Sequence, residues 1–377
     1  MITAEPRLTT PRGVWSFPEL IQDPFGLADK GKPDDGLVLL GERPEEIVSA
    51  LLCLEGRISR IFLGESDVSE VHPGSKGTNW FFLTSGTSGK PKQISRTLKS
   101  ISRPVVRSLI TSVTWGFLTD ITRMAGVQVV IEALGRGENL VIPDRDMTLP
   151  RKIGFMREHG VTNFSATPSQ YRQLLGLQAF SDMPLCQVTL GGEVADQKLL
   201  SGLRRAFPAA KITHVYATTE TGPVFSVSDG KSGFDASQLA KPTNRLVIGQ
   251  DGELGVEIYN SRDIHWTGDV VELLEGRYQF VGRSSSFINV GGSKVNPFAV
   301  EAVILAHPNV QDCMVKARDN VMIGELVEVD IVLIGENDSV IEELRALCRG
   351  QLPRHAVPRF FNFVAELPRS HTGKKGG

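Results

Sequence analysis

The sequence predicts an α/β protein: a large N-terminal part of layered βαβ units, followed by a small α+β unit. Three observations carry this expectation. Short β-rich runs alternate with helical patterns, the composition changes near "VGRSSSFINVGGSKV" (281–295), and 377 residues are too many for one ordinary core.

The elements follow in order. "GLVLLG" (36–41) is apolar between glycines and reads as a buried strand. "PEEIVSALLCLEG" (44–56) opens on proline and two acids, which suit the unpaired N–H groups of a helix start, and stops at Gly56. "RIFLG" (60–64) and "NWFFLT" (79–84) read as the next strands. "NLVIP" (139–143), "NFSAT" (163–167), "QVTLGG" (187–192) and "HVYATTE" (214–220) continue the series, with helical stretches between them. In "VADQKLLSGLRRAF" the residues Leu199, Leu200, Leu203 and Phe207 share one helical face. This alternation predicts mainly parallel strands. Three serines and two glycines at 284–292 read as a mobile junction rather than a core element. Beyond it, 296–310 reads as a helix, 325–335 as a strand, 339–352 as a helix and 360–368 as a strand. That is a compact unit from about residue 286 onward.

Composition narrows the function classes. With 41% hydrophobic and 22% charged residues the chain reads as a soluble globular protein. A formal net charge of −2 gives no global attraction to nucleic acid or anionic membrane. No apolar run reaches the roughly 18–20 residues of a membrane helix, and "MITAEPRLTTPRG" lacks the pattern of a signal peptide. Cys53, Cys186, Cys313 and Cys348 lie far apart in apolar segments and read as buried free thiols of a cytoplasmic protein. CxxC and HExxH patterns are missing, which argues against a structural zinc site.

The most informative stretch is "FFLTSGTSGKPK" (81–92). Gly86 and Gly89 let backbone approach a ligand closely. Thr84, Ser85, Thr87 and Ser88 offer hydroxyls, and Lys90 and Lys92 offer positive charge. Together they suit a polyphosphate, although a Gly/Ser surface turn has the same composition. A Walker A loop needs G-x-x-x-x-G-K-[ST]; here Thr84 stands in place of the first glycine and Pro91 follows Lys90, which argues against a P-loop phosphotransferase.

The stretch from Thr84 to Lys92 resembles the phosphate-binding signature of the adenylate-forming superfamily, which includes acyl-CoA synthetases and nonribosomal peptide adenylation domains. Further segments resemble that family's pattern in the same order, from about residue 80 onward. "LGGEV" (190–194) is similar to the segment against which adenine packs, which implicates Gly191, Gly192 and Glu193 at the opening of a helix. "VYATTETG" (215–222) resembles the family's Y-G-x-T-E, with Ala217 in place of glycine. The resemblance implies that Tyr216 covers the other adenine face with Ala217 and Thr218 beside it, Thr219 bonds the α-phosphate, and Glu220 holds magnesium. "WTGDV" (266–270) resembles its T-G-D, implying that Asp269 accepts hydrogen bonds from both ribose hydroxyls. Arg283 would reach the ribose or a phosphate. Ser285 falls at the family's hinge, where Asp or Lys is usual, and Asn289 stands where Lys is frequent. "LPRSHTGKKGG" (367–377) resembles L-P-[KR]-T-x-x-G-K and puts the catalytic lysine at Lys374, with Ser370 in place of threonine.

The resemblance implies an N-terminal AMP-binding and acyl-substrate domain over 1–284, short before the phosphate loop, and a C-terminal domain over 285–377 that rotates about the hinge. It implies ATP-dependent conversion of a carboxylic acid to acyl-AMP with loss of pyrophosphate, catalysed by Lys374, Thr84 and Glu220. A thioester then forms on coenzyme A. The acid would bind in 112–127 and around 191–225, where Trp115 and Phe117 line the pocket or serve as plain core, and where Asp120 binds a substrate amine or pairs with Arg123. One alternative acceptor is the phosphopantetheine of an acyl carrier protein, and a second alternative is a degenerate nucleotide-binding homologue without turnover. The oligomeric state stays open, a homodimer included.

Overall fold

A computed structural model of the chain describes residues 5–29, 37–63, 77–84, 92–102, 113–241, 245–257, 263–284, 286–335 and 339–368. Two compact units emerge. One comprises Met1–Thr167, Leu177–Gly192 and Ala206–Ser226; the other comprises Pro168–Gly176, Glu193–Arg205 and Val227–Gly377.

The first unit holds two sheets. In the smaller, Leu37–Leu40, Arg60–Leu63 and Asn79–Thr84 run parallel, and Lys92–Arg96 returns antiparallel beside the last. Helix Pro44–Cys53 joins the first two strands and buries Ile47, Val48 and Ala50. The larger sheet has the order Gly222–Val227, Lys211–Thr218, Gln187–Gly191, Asn163–Ala166, Thr114–Phe117, Asn139–Val141, Arg7–Thr10, Gly13–Ser16. Its pairs from Lys211–Thr218 through to Arg7–Thr10 are parallel, as the alternation predicts. From Thr114–Phe117 the chain steps one way to Asn139–Val141, then crosses back to Asn163–Ala166 and continues in the other direction. Such a reversal opens a crevice at the carboxyl ends of the two central strands.

In the second unit, Phe234–Asp235, Arg277–Arg283, Ile264–Leu274, Glu253–Glu257 and Leu246–Ile248 form an antiparallel sheet in that order. A further sheet orders Ser293–Val295, Ile288–Val290, Gly324–Leu333 and Val310–Asn320, with Phe360–Phe363 parallel to Gly324–Leu333. Helices Pro297–Leu305 and Val340–Gln351 bury Val300, Ile304, Leu344 and Cys348 in one core with Val327, Val329 and Ile331.

Several local expectations need correction. Residues 288–295 are not a loose junction but a hairpin: Ile288 and Val295 are buried opposite each other. The turn between the strands is Gly291–Gly292 at φ +57° and +85°, the double left-handed conformation that two-residue hairpins require and glycine supplies cheaply. Strand Val310–Asn320 and the antiparallel sheet over 234–283 went unpredicted. Cys186 is exposed, unlike the other three cysteines, because it lies at the rim, just before strand Gln187–Gly191. Trp115 and Phe117 are buried among the core of the first unit, with the Trp115 indole donating to Glu138 at 2.6 Å, so they belong to the packing. The Asp120 carboxylate receives the backbone N–H and the hydroxyl of Thr122, at 2.8 and 2.7 Å, just before helix Met124–Arg136.

Candidate active site

In the first unit the phosphate-loop segment is flanked by a β-ladder. Thr84 pairs with Lys92, Leu83 with Gln93 and Phe82 with Ile94, so the two ends of the segment are held opposite each other. Ser85, Gly86, Thr87, Ser88 and Gly89, with the side chains of Thr84 and Lys92, lie outside the described residues.

Gly191 ends its strand opposite Val215 of the parallel neighbour, which places Gly192 beside Tyr216. Gly192 has φ +82°, a left-handed conformation that turns the chain away from the sheet at low cost for glycine. The expected helix does not open here: it starts at Gln197. Glu193 instead accepts the Ser169 N–H at 2.9 Å, within the second unit, and so caps helix Pro168–Leu174. The Tyr216 ring stacks on Phe225 of the strand Gly222–Val227, with centroids 5.2 Å apart and planes 17° from parallel.

The strand ends at Thr218 and the chain turns. Thr218 Oγ1 accepts the Thr221 N–H at 3.1 Å and lies 2.9 Å from the Thr221 hydroxyl, so its first role is to staple the turn. Thr219 is half-buried and Glu220 exposed at the apex. Arg96, the last residue of the strand leaving the loop segment, donates to the carbonyls of both. Sequence reasoning missed this arginine. Burial pushes its guanidinium below the usual pKa range, and the Glu220 carboxylate opposes that shift.

In the second unit Asp269 and Arg283 face each other on paired strands. Arg283 Nε lies 3.5 Å from Asp269 Oδ1, and Nη2 donates to Thr267 O at 2.9 Å. Gly268, at φ +77°, makes room for that guanidinium: a Cβ there would stand 3.2 Å from Nη2. Thr267 donates its hydroxyl to Leu254 O and accepts the Asp269 N–H, which anchors the T-G-D segment to the adjoining strand. Ser285, the expected hinge, and Lys374 lie outside the described residues.

The same unit carries a polar joint. Arg172 of helix Pro168–Leu174, its side chain only 10% exposed, is bonded to Asp196 and lies 3.8 Å from Asp312 of strand Val310–Asn320. Burial opposes its charge, and the two carboxylates more than offset it, holding the pKa above the usual range. Lys198 of helix Gln197–Ala206 donates to the carbonyls of Leu305, His307 and Val310, at 2.6, 2.9 and 3.1 Å. Those carbonyls end helix Pro297–Leu305 and begin the next strand, where partial negative charge accumulates.

Among the described residues no three His, Cys, Asp or Glu side chains gather as a metal cage. One exposed carboxylate at a strand end instead suits magnesium, which takes few protein ligands and fills its shell with phosphate oxygens and water.

A parallel sheet with its candidate ligand residues at the carboxyl strand ends, followed by a smaller α+β module, defines a two-part nucleotide-dependent enzyme. The chain belongs to the AMP-binding enzyme family: that family matches residues 42–250, and the AMP-binding enzyme C-terminal domain matches 299–374. It is 26% identical to surfactin synthase subunit 1 of Bacillus subtilis (strain 168), over 82% of this chain and 10% of that protein. It is 27% identical to a 2-succinylbenzoate–CoA ligase of Bacillus pumilus (strain SAFR-032), over 79% of this chain and 67% of the ligase. The fold is similar to the crystal structure of the anthranilate CoA ligase AuaEII in complex with anthranoyl-AMP, with TM-score 0.74, 16% identity and coverage of 99% and 93% of the two chains.

Proposed function

We propose that the protein is an AMP-forming acid–thiol ligase. It activates a carboxylic acid with ATP, releases pyrophosphate, and passes the acyl group to a thiol, in the first place that of coenzyme A. One observation carries the reading. Gly191–Gly192, Tyr216 and the Thr219–Glu220 turn stand together at the carboxyl ends of two neighbouring parallel strands. Open α/β sheets bind nucleotides there.

The chemistry follows from charge. A carboxylate is a poor acyl donor because oxide does not leave. Attack on the α-phosphorus of ATP displaces pyrophosphate and converts that oxygen into part of AMP, a good leaving group. The thiol then attacks the acyl carbon and AMP departs. The first step presses an anion toward a polyanion, so catalysis is chiefly positioning and neutralisation. Tyr216 and the backbone of Gly191–Glu193 hold adenine, Asp269 and Arg283 the ribose, and Thr84–Gly89 with Lys92 the phosphates. Thr219 orients the α-phosphate, and Lys374 supplies a preorganised cation. Magnesium, held through Glu220, neutralises phosphate charge when bound. The acid enters at the crevice where the strand order reverses. We place the domain boundary at 284/285, with the hinge at Ser285, between the two family matches, and the protein in the cytoplasm. A second reading, loading of a carrier-protein phosphopantetheine, is favoured by the likeness to the surfactin synthase subunit.

ATP–pyrophosphate exchange over a panel of carboxylic acids tests the proposal. One acid should drive exchange, Glu220→Gln should abolish it, and Lys374→Ala should slow it about 100–1,000-fold. Lys374→Ala should still convert supplied acyl-AMP to thioester, and Lys375→Ala should behave like the parent. Equal loss in both steps, or a larger effect at Lys375, would remove Lys374 from its role. A folded protein that binds ATP yet exchanges with no acid would point to a homologue without turnover.

A further inference from the structure

We infer that Arg96 is a positioning residue for the Thr219–Glu220 turn, locking its backbone to the strand that leaves the phosphate-loop segment. The inference rests on the roles given above to Thr219 and Glu220.

Arg96 is fixed at its own end first. It pairs with Trp80 in a ladder that runs on to Thr84 and Lys92, so its Cα cannot move independently of the two residues flanking the loop segment. All three of its side-chain nitrogens are then engaged. Nε donates to Ser100 Oγ at 2.9 Å and Nη2 to Ser100 O at 2.7 Å. Nη1 donates to Thr219 O at 3.3 Å and to Glu220 O. A planar fork of five N–H donors can serve both partners at once, which a lysine ammonium on a flexible stem does not reproduce.

The peptide between Glu220 and Thr221 is held at both ends. Its carbonyl is bonded to Arg96 and its N–H to Thr218 Oγ1, on opposite sides of a trans peptide plane. That constrains the ψ angle of Glu220 and with it the direction of its Cα–Cβ bond. Gly222 completes the fit: at φ +75°, a Cβ there would stand 2.9 Å from Ser100 O and 3.1 Å from Arg96 Nη2. A side chain at 222 would therefore crowd both the guanidinium and the carbonyl that helps to hold it. The backbone of neither Thr219 nor Glu220 could swing without breaking a charge-assisted bond, so the turn that carries the hydroxyl and the carboxylate is set before ATP arrives.

A merely structural arginine would affect all nucleotides alike; a positioning one acts where metal and phosphate are read together. Calorimetric titration of the full chain with AMP, with ATP, and with ATP plus magnesium separates the cases. The parent should bind ATP more tightly when magnesium is added, and Glu220→Gln should lose that gain. Arg96→Ala should lose roughly tenfold of the magnesium-dependent affinity, while AMP binding and Tm stay near the parent's. Arg96→Lys should recover less than half of the loss. Arg96→Ala with the full magnesium gain overturns the inference, and so does equal weakening of AMP and ATP regardless of metal. Should Arg96→Ala fail to fold, Arg96→Lys decides: an intact gain overturns the inference and a reduced one supports it. A parent without any magnesium gain overturns the role of Glu220 and this inference with it. A parent and Glu220→Gln that behave as expected beside an unaffected Arg96→Ala overturn this inference alone.

Discussion

Glu138 is a carboxyl group that is 5% exposed and accepts the Trp115 indole N–H. Burial pushes its pKa up, against the smaller opposing effects of that hydrogen bond and of Arg136. The folded protein therefore holds this proton more tightly than the unfolded chain. Stability from this group is fully present below the ordinary glutamate value and declines as pH rises through the raised one. Glu138→Gln keeps an acceptor for Trp115 and removes the titration. Its Tm relative to the parent should rise as pH goes from 5 to 8, and a pH-independent difference in thermal melts would contradict this. Some residues of the proposed nucleotide site leave a clearer mark in the sequence than Glu138 does. Asp269 and Arg283 fall fourteen residues apart, with Asp269 in a T-G-D segment, and the structure sets them opposite each other on paired strands. Arg96 was not legible, because its partners are backbone carbonyls 123 and 124 positions away and leave no trace in side-chain identity.

Helices and strands with a clean apolar pattern were legible to within a few residues. Pro44–Cys53, Asn79–Thr84 and Val340–Gln351 are examples, each bounded by proline, glycine or a change of period. Strand Val310–Asn320 was not legible, since "VQDCMVKARDN" buries Asp312 on a face that alternation assigns to apolar residues. Asp312 is there to meet Arg172. Arg172→Met would leave that carboxylate buried without its cation, at about 3–5 kcal/mol. Arg172→Met/Asp312→Leu removes both charges and should be clearly more stable than the single variant in urea unfolding. Two equal losses would show that the pair is not coupled.

At the scale of the molecule, "SSS" at 284–286 is the change of composition on which the proposed boundary rests, and the turn-rich sequence after it concealed a hairpin. Limited proteolysis should nick at Ser284–Ser286 and release a fragment of about 90 residues. Lys198 lies before that boundary and its three carbonyl partners after it, so the lysine ties the two sides together. Lys198→Met should raise the nicking rate about threefold to tenfold, and an unchanged rate would mean that the tie carries no load. A C-terminal domain that rotates about the proposed hinge would have to release it. Its chemistry has a wider consequence. The atoms that Lys198 grips are main chain, present in any sequence that ends a helix and enters a strand in the same way. The grip itself therefore uses no side-chain atom of Leu305, His307 or Val310, only the backbone path that those residues set. A C-terminal module grafted from a distant relative would meet the lysine through any matching helix end, and would still need a carboxylate in place of Asp312 to face Arg172.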